Sequence, residues 1–262
     1  MASHPRLNTK EVALTTVFTA LYAILGFIKI SPILGLSPQG ITAAAIVAPI
    51  IGILLGPYIG TLSTFLGGVI GLSLGALSYP SLAAGIPTAF CAGMISTKRR
   101  LTSIVTYLAL FLLFAFYPTV GPAWLFPLNT WFQIAGLIIL VSPLQSVAGE
   151  NLNSRNNTRL LSGFFLTCLA STLAGQITGS LVFEALNPNA TALLGNWQIL
   201  TFVYPIERTI IALAAMLIGV PLMKILRTAN LLSSAVLSKK QIRLREPYSK
   251  RLFDDLSIPS RS

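Results

Sequence analysis

The chain has 262 residues, 54% of them hydrophobic and only 10% charged, with a mean hydropathy of +0.77 and a formal net charge of +11. A soluble domain carries about 25% charged residues, so this composition excludes an ordinary soluble enzyme and specifies an integral membrane protein. The single histidine, His4, lies in a polar leader, and Cys91 and Cys168 lie inside apolar segments, so neither a metal centre, a cofactor nor a disulfide framework is expected.

Eight apolar stretches follow one another: Val12–Ile30, Pro38–Leu55, Pro57–Leu77, Pro80–Ser96, Leu101–Pro118, Asn129–Ala148, Leu160–Phe183 and Gln198–Met223. The first is too long for a signal h-region and lacks a small-residue cleavage site after it, so it is expected to remain as a span. The second and fourth lie near the lower limit of about 17 residues for a spanning helix, and either could re-enter. Pro38, Pro57 and Pro80 mark helix starts, where a first-turn residue needs no N–H, and Gly56-Pro57 predicts a very tight connection. The third stretch repeats Gly67, Gly71 and Gly75; the seventh repeats Ser171, Gly175 and Gly179. Such small-residue ridges let helix backbones approach closely. Leu101–Pro118 has no glycine and no charge, which suits a peripheral helix.

Loop charge sets the topology. With the N-terminus inside, Arg6 and Lys10, Lys98–Arg100, Arg155 and Arg159, and the C-terminal basic residues all fall on the cytoplasmic face. The opposite loops contain no Lys or Arg. Eight spans with both termini inside satisfy the positive-inside rule. The expected organisation is an all-α transmembrane bundle over residues 1–226 in the cell (plasma) membrane, and a basic, partly disordered cytoplasmic tail over 227–262. Anionic lipid headgroups suit that tail better than nucleic acid does.

Functional candidates are the polar residues at depth. Glu207-Arg208 lies ten residues after Trp197, about 15 Å at helical rise, near the middle of a hydrocarbon core about 30 Å thick. Intramembrane ionisable groups face a bundle interior or cavity. Pro205 removes a backbone bond and leaves the carbonyl of Thr201 without its partner. One interpretation is a solute site built from Thr201, Tyr204, Glu207, Arg208 and Gln176; the other is a structural ion pair beside a kink. On the first, Glu207→Gln lowers solute binding at unchanged stability. Glu184 and Lys29 end their helices on the outer side, either snorkelling to the interface or contacting ligand. Gln39, Asn129 and Gln133 sit at matching depths as packing groups or ligands. Trp124, Trp131 and Trp197 fall where an aromatic belt is expected. The apolar loop Ser31–Pro38 is either a connector or a lid. Glu207 is the only deep carboxylate and has no His or Asp partner there, so no enzyme chemistry is expected. Without a Walker-type glycine-rich loop, any ATP must be hydrolysed by a partner.

Several stretches together carry a resemblance. They are Ala13–Ala23, Gly40–Ala44, Pro49–Pro57, Phe65–Ile70, Tyr204–Arg208 and Ile218–Leu222, about half the chain. They resemble the substrate-binding S components of energy-coupling-factor vitamin transporters. The resemblance implies a six-helix subunit that binds a vitamin-like solute from outside and couples to a transmembrane T component and two ATPases. It also implies a docking face on the first helix at Thr16 and Ala20, where the family carries Ala at both positions. Two spans exceed the family count, and Leu101–Ala148 reads as an added hairpin. A stand-alone transporter and a scaffold acting through the basic tail remain the alternatives.

Overall fold

Helix-start chemistry fixes where the chain turns. Ser78 Oγ accepts from Ser81 N (3.3 Å), Asn156 Oδ1 from Thr158 N (2.9 Å) and Asn189 Oδ1 from Ala192 N (3.2 Å). Each is a short polar side chain capping orphan amides. Pro57 and Pro80 stand in first turns, as expected. The computed structural model describes residues 9–32 and 40–229. These form α1 (Thr9–Leu25), β1 (Lys29–Pro32), β2 (Gly40–Thr42), α2 (Ala44–Leu55), α3 (Pro57–Ser73), α4 (Tyr79–Ser96) and α5 (Arg100–Ala115). Then come the short α6 (Pro122–Leu125), a 3-10 turn (Pro127–Thr130), α7 (Trp131–Val141), α8 (Leu144–Asn151), α9 (Asn157–Leu186) and α10 (Ala190–Thr228).

The protein is therefore helical apart from one hairpin among the described residues. At 30 and 39 residues, α9 and α10 are each long and apolar enough to cross a membrane. The segment through α7 and α8 passes the same test as a pair bent by 70°.

Several expected elements differ from the sequence reading. The first apolar stretch is helical only to Leu25, with Lys29 in β1 rather than at a helix end, and the sixth is broken by the bend between α7 and α8. The second apolar stretch is helical only from Ala44, 12 residues or about 18 Å, because Gly40–Thr42 is drawn out as a strand. It pairs antiparallel with β1 in the register Lys29↔Thr42, Ser31↔Ile41 and Pro32↔Gly40, with an irregularity between Lys29 and Ser31. Arg227 and Thr228, assigned above to the tail, form the last turn of α10; the tail from 230 onward, like Pro38 and Gln39, lies outside the described residues.

Close packing of α4 against α9 organises the bundle, and α4 also packs on α2 and α3. The glycine ridge on α9 is the reason. A Cβ at Gly175 would strike the Thr88 side chain and come within 2.6 Å of the Ala84 carbonyl oxygen. The ridge on α3 divides its work: a Cβ at Gly67 would lie 2.6 Å from the Thr19 carbonyl oxygen on α1, while Gly75 takes φ +72° in the turn that ends the helix. Gly56, at φ 82°, joins α2 to α3 alone, as expected.

Two hydrophobic clusters result. One joins α1, α2, the first half of α9 and the second half of α10 around Ile53, Phe164 and Met223. The other joins α4, α5, α7, α9 and the start of α10 around Tyr107, Phe114 and Trp197. The α5–α8 segment packs on one side of the bundle, against α4 and α9. Along α5, Leu101, Val105, Leu108 and Leu112 are exposed, in keeping with a peripheral helix.

Candidate functional site

Where α2 stops short, the bundle is not filled. A cavity lies between α1, α2, α4, α9 and α10, with Ile41 and Thr42 of the hairpin in its wall. About 760 Å³ is unfilled by protein atoms, part of it continuous with the outside, and water centres have about 80 Å³ to occupy. That is room for several waters.

Three expected site residues, Gln176, Tyr204 and Arg208, line this cavity. The guanidinium of Arg208 stands over the Tyr204 ring, 5.7 Å from its centroid, and the Tyr204 hydroxyl interacts with Ser180 on α9. Gln176 is buried and ties the cavity to the interior. In the amide orientation that satisfies its neighbours, Gln133 donates to the Asn129 carbonyl (2.7 Å) and accepts from Gln176 Nε2 (2.9 Å). Tyr107 donates to the Gln133 carbonyl (2.8 Å). Gln176 Oε1 and Arg208 Nε have no hydrogen-bond partner among the described residues. Each is a polar atom whose burial costs free energy until something satisfies it.

Glu207 and Thr201 are placed differently. Glu207 is not on the cavity wall; its Oε1 accepts from Arg208 Nη2 at 2.7 Å and its Oε2 from Ser31 Oγ at 3.4 Å. It holds the Arg208 charge and links β1 to α10. Thr201 donates to the Trp197 carbonyl (2.7 Å) and to Asn129 Oδ1 (3.3 Å). The Thr201 carbonyl freed by Pro205 accepts from Trp131 Nε1 at 3.2 Å, so that spare acceptor is used by the protein rather than presented to a solute.

Glu184 corrects an expectation: it does not snorkel but is wholly buried, and neither carboxylate oxygen has a hydrogen-bond partner among the described residues. Trp197 corrects another. It is fully buried rather than at the interface, with Nε1 donating to the Val120 carbonyl (3.3 Å) and its ring edge-on to Phe114. Trp124 and Trp131 are exposed. Gln39 and residues 33–38 of the expected lid lie outside the described residues; Ser31 and Pro32 belong to β1.

Sequence reasoning passed over Tyr22, Thr172 and Ser180, which also line the cavity. A signal for the last two was present: Thr172, Gln176 and Ser180 recur every four residues along α9, one polar stripe on one face. Tyr22 carried no such signal; it enters because Gly67, Gly68 and Gly85 leave space for its ring. No family model, no curated protein and no solved structure matches the chain.

Proposed function

We propose that this chain is a multi-pass protein of the cell membrane that captures a small, vitamin-like organic solute from the outer side in the cavity beneath the hairpin. It acts as the S-component-like subunit of an uptake system whose T component and ATPases are separate chains. The eight apolar segments, with Lys98–Arg100, Arg155 and Arg159 on the cytoplasmic face, supply the topology. The single observation that carries the reading is a partly open cavity walled by Gln176, Tyr204 and Arg208, the polar groups that an apolar span has least reason to contain. The docking face has support as well. Thr16 and Ala20 are both exposed on α1, and the Thr16 hydroxyl donates to the Val12 carbonyl at 3.0 Å. That bond turns the hydroxyl back onto its own helix, so threonine presents an apolar surface much as alanine would.

Mass spectrometry of small molecules released from the protein purified out of its native membranes identifies the solute, and the polypeptides that accompany it identify any ATPase partners. With that solute in hand, Tyr204→Phe keeps the ring and removes one hydroxyl, for an expected affinity loss of about tenfold, or about 1.4 kcal/mol. Ala45→Leu, which places a larger side chain on the cavity wall, abolishes binding. Wild-type affinity in both variants would mean that the solute binds elsewhere.

A further inference from the structure

We propose that a second cavity, at the far end of α4 from the solute cavity, is a headgroup site for a phospholipid bearing a primary ammonium, of the phosphoethanolamine class. This goes beyond the solute reading and does not depend on it; it needs only that α5 and α7 lie in the membrane. The cavity is lined by Ile95, Lys98, Arg100, Gln145, Ser146 and Glu150 and holds about 370 Å³ of unfilled space.

Its charges are divided in the way a zwitterionic headgroup is. Lys98 and Arg100 supply two cations for a phosphate. Glu150 supplies a carboxylate for an ammonium, and its ion pair with Lys98 is long, 3.9 Å, with both side chains exposed. Such a pair is worth little by itself and can open around a guest. Beside them Gln145 is 4% exposed; its Nε2 donates to Ser103 Oγ, but its Oε1 has no partner among the described residues. That buried acceptor needs a donor. An ammonium N–H supplies one, a choline headgroup has none, and a glycerol headgroup offers hydroxyls without the charge that Glu150 calls for.

Backbone geometry fixes where the Lys98 side chain starts. Lys98 has φ +60° at the turn closing α4, where Arg99 N donates back to the Met94 carbonyl (2.9 Å). Glycine is the usual residue at such a left-handed helix end. A lysine held there puts a cation at the cavity against local preference.

The surroundings select a lipid over a free headgroup. The segment ending in α8 is bent by 70°, so when α7 follows the membrane normal α8 lies close to the membrane plane, with Leu144 and Val147 exposed. From Arg100 the exposed stripe Leu101, Val105, Leu108 and Leu112 runs along α5 at helical spacing, a track for an acyl chain whose headgroup sits in the cavity. Arg100 closes the arrangement by donating through Nη2 to the Val141 and Ser142 carbonyls at the end of α7.

The test is native mass spectrometry of the full chain released from nanodiscs containing equal amounts of phosphatidylethanolamine, phosphatidylglycerol and phosphatidylcholine. The wild type is expected to retain phosphatidylethanolamine at least fivefold over either other lipid. Glu150→Gln and Lys98→Gly should each remove that preference. Lys98→Gly relieves the left-handed backbone, so its melting temperature should not fall, which separates lost lipid from lost fold. Equal retention of the three lipids, preference for phosphatidylglycerol, or an unchanged preference in both variants would overturn the site. Displacement by millimolar O-phosphoethanolamine would overturn its assignment to a lipid.

Discussion

Replacing Glu207 by Leu while leaving Arg208 in place is expected to destabilise the protein by about 3–5 kcal/mol, read as a large drop in the thermal midpoint in detergent. The two side chains are 11% and 8% exposed and meet at 2.7 Å. Once the carboxylate is gone, the guanidinium has no other ion pair among the described residues, and its Nε already lacks a hydrogen-bond partner there. An uncompensated buried charge is the costly product, not the missing bond itself. The double variant Glu207→Leu/Arg208→Met removes both charges and should recover most of the loss, because a buried ion pair exchanged for apolar side chains of similar volume is close to neutral. It should still fail to bind solute, since Arg208 lines the cavity. The pair therefore has two separable roles: Glu207 keeps the cation in place, and Arg208 faces the cavity. Glu207→Gln, expected from sequence to act on binding alone, keeps an acceptor but not the charge, so part of the stability loss should appear there too. A Leu variant as stable as the wild type would show that Arg208 is solvated or finds another anion.

How much of this arrangement could be read from sequence depends on which residues hydropathy can rank. Arg208, Tyr204 and Gln176 were legible as cavity candidates because a polar side chain deep in an apolar segment needs a reason to be there. That α9 packs closely on a neighbour was legible in Ser171, Gly175 and Gly179, since small residues every fourth position have few other uses in a membrane helix; that the neighbour is α4 was not. Trp197 and Glu184 were not. Hydropathy treats lipid and protein interior as the same apolar medium, so it places a residue by depth and not by what covers it. Trp197 lies seven residues after the start of α10 at Ala190, a depth that suits an interface, yet the segment before α6 covers it. The hairpin escaped for a different reason. Lys29–Pro32 and Gly40–Thr42 are strands of four and three residues, too short to show a two-residue alternation, and only their mutual pairing makes them strands. Thr201 was chosen for the carbonyl that Pro205 frees; what sequence could not supply was the indole of Trp131, seventy positions away, that takes up that carbonyl.

Trp197→Ala is the experiment on which covering and depth give opposite answers. A tryptophan in an aromatic belt can be removed at small cost, and Trp124→Ala, at a residue 60% exposed, should shift the thermal midpoint little. Trp197 has 0% exposure, so its truncation should cost about 3–5 kcal/mol, the range for a large aromatic removed from a packed core. The ring is set edge-on against Phe114 at 5.8 Å, and its N–H holds the Val120 carbonyl, so the α5–α6 connection loses both packing and a buried donor. The damage should reach the cavity. Trp197 is the residue whose carbonyl accepts the Thr201 hydroxyl, and the next turns of α10 carry Leu200, Tyr204 and Arg208 into the cavity wall. If the α5–α8 segment braces that stretch of α10, Trp197→Ala should weaken solute binding without touching a single lining residue, while Trp197→Phe, which keeps an aromatic ring in the core, should restore most of both stability and affinity. A stable Trp197→Ala protein with unchanged affinity would mean that this side of the bundle neither packs on α10 as described nor supports the cavity.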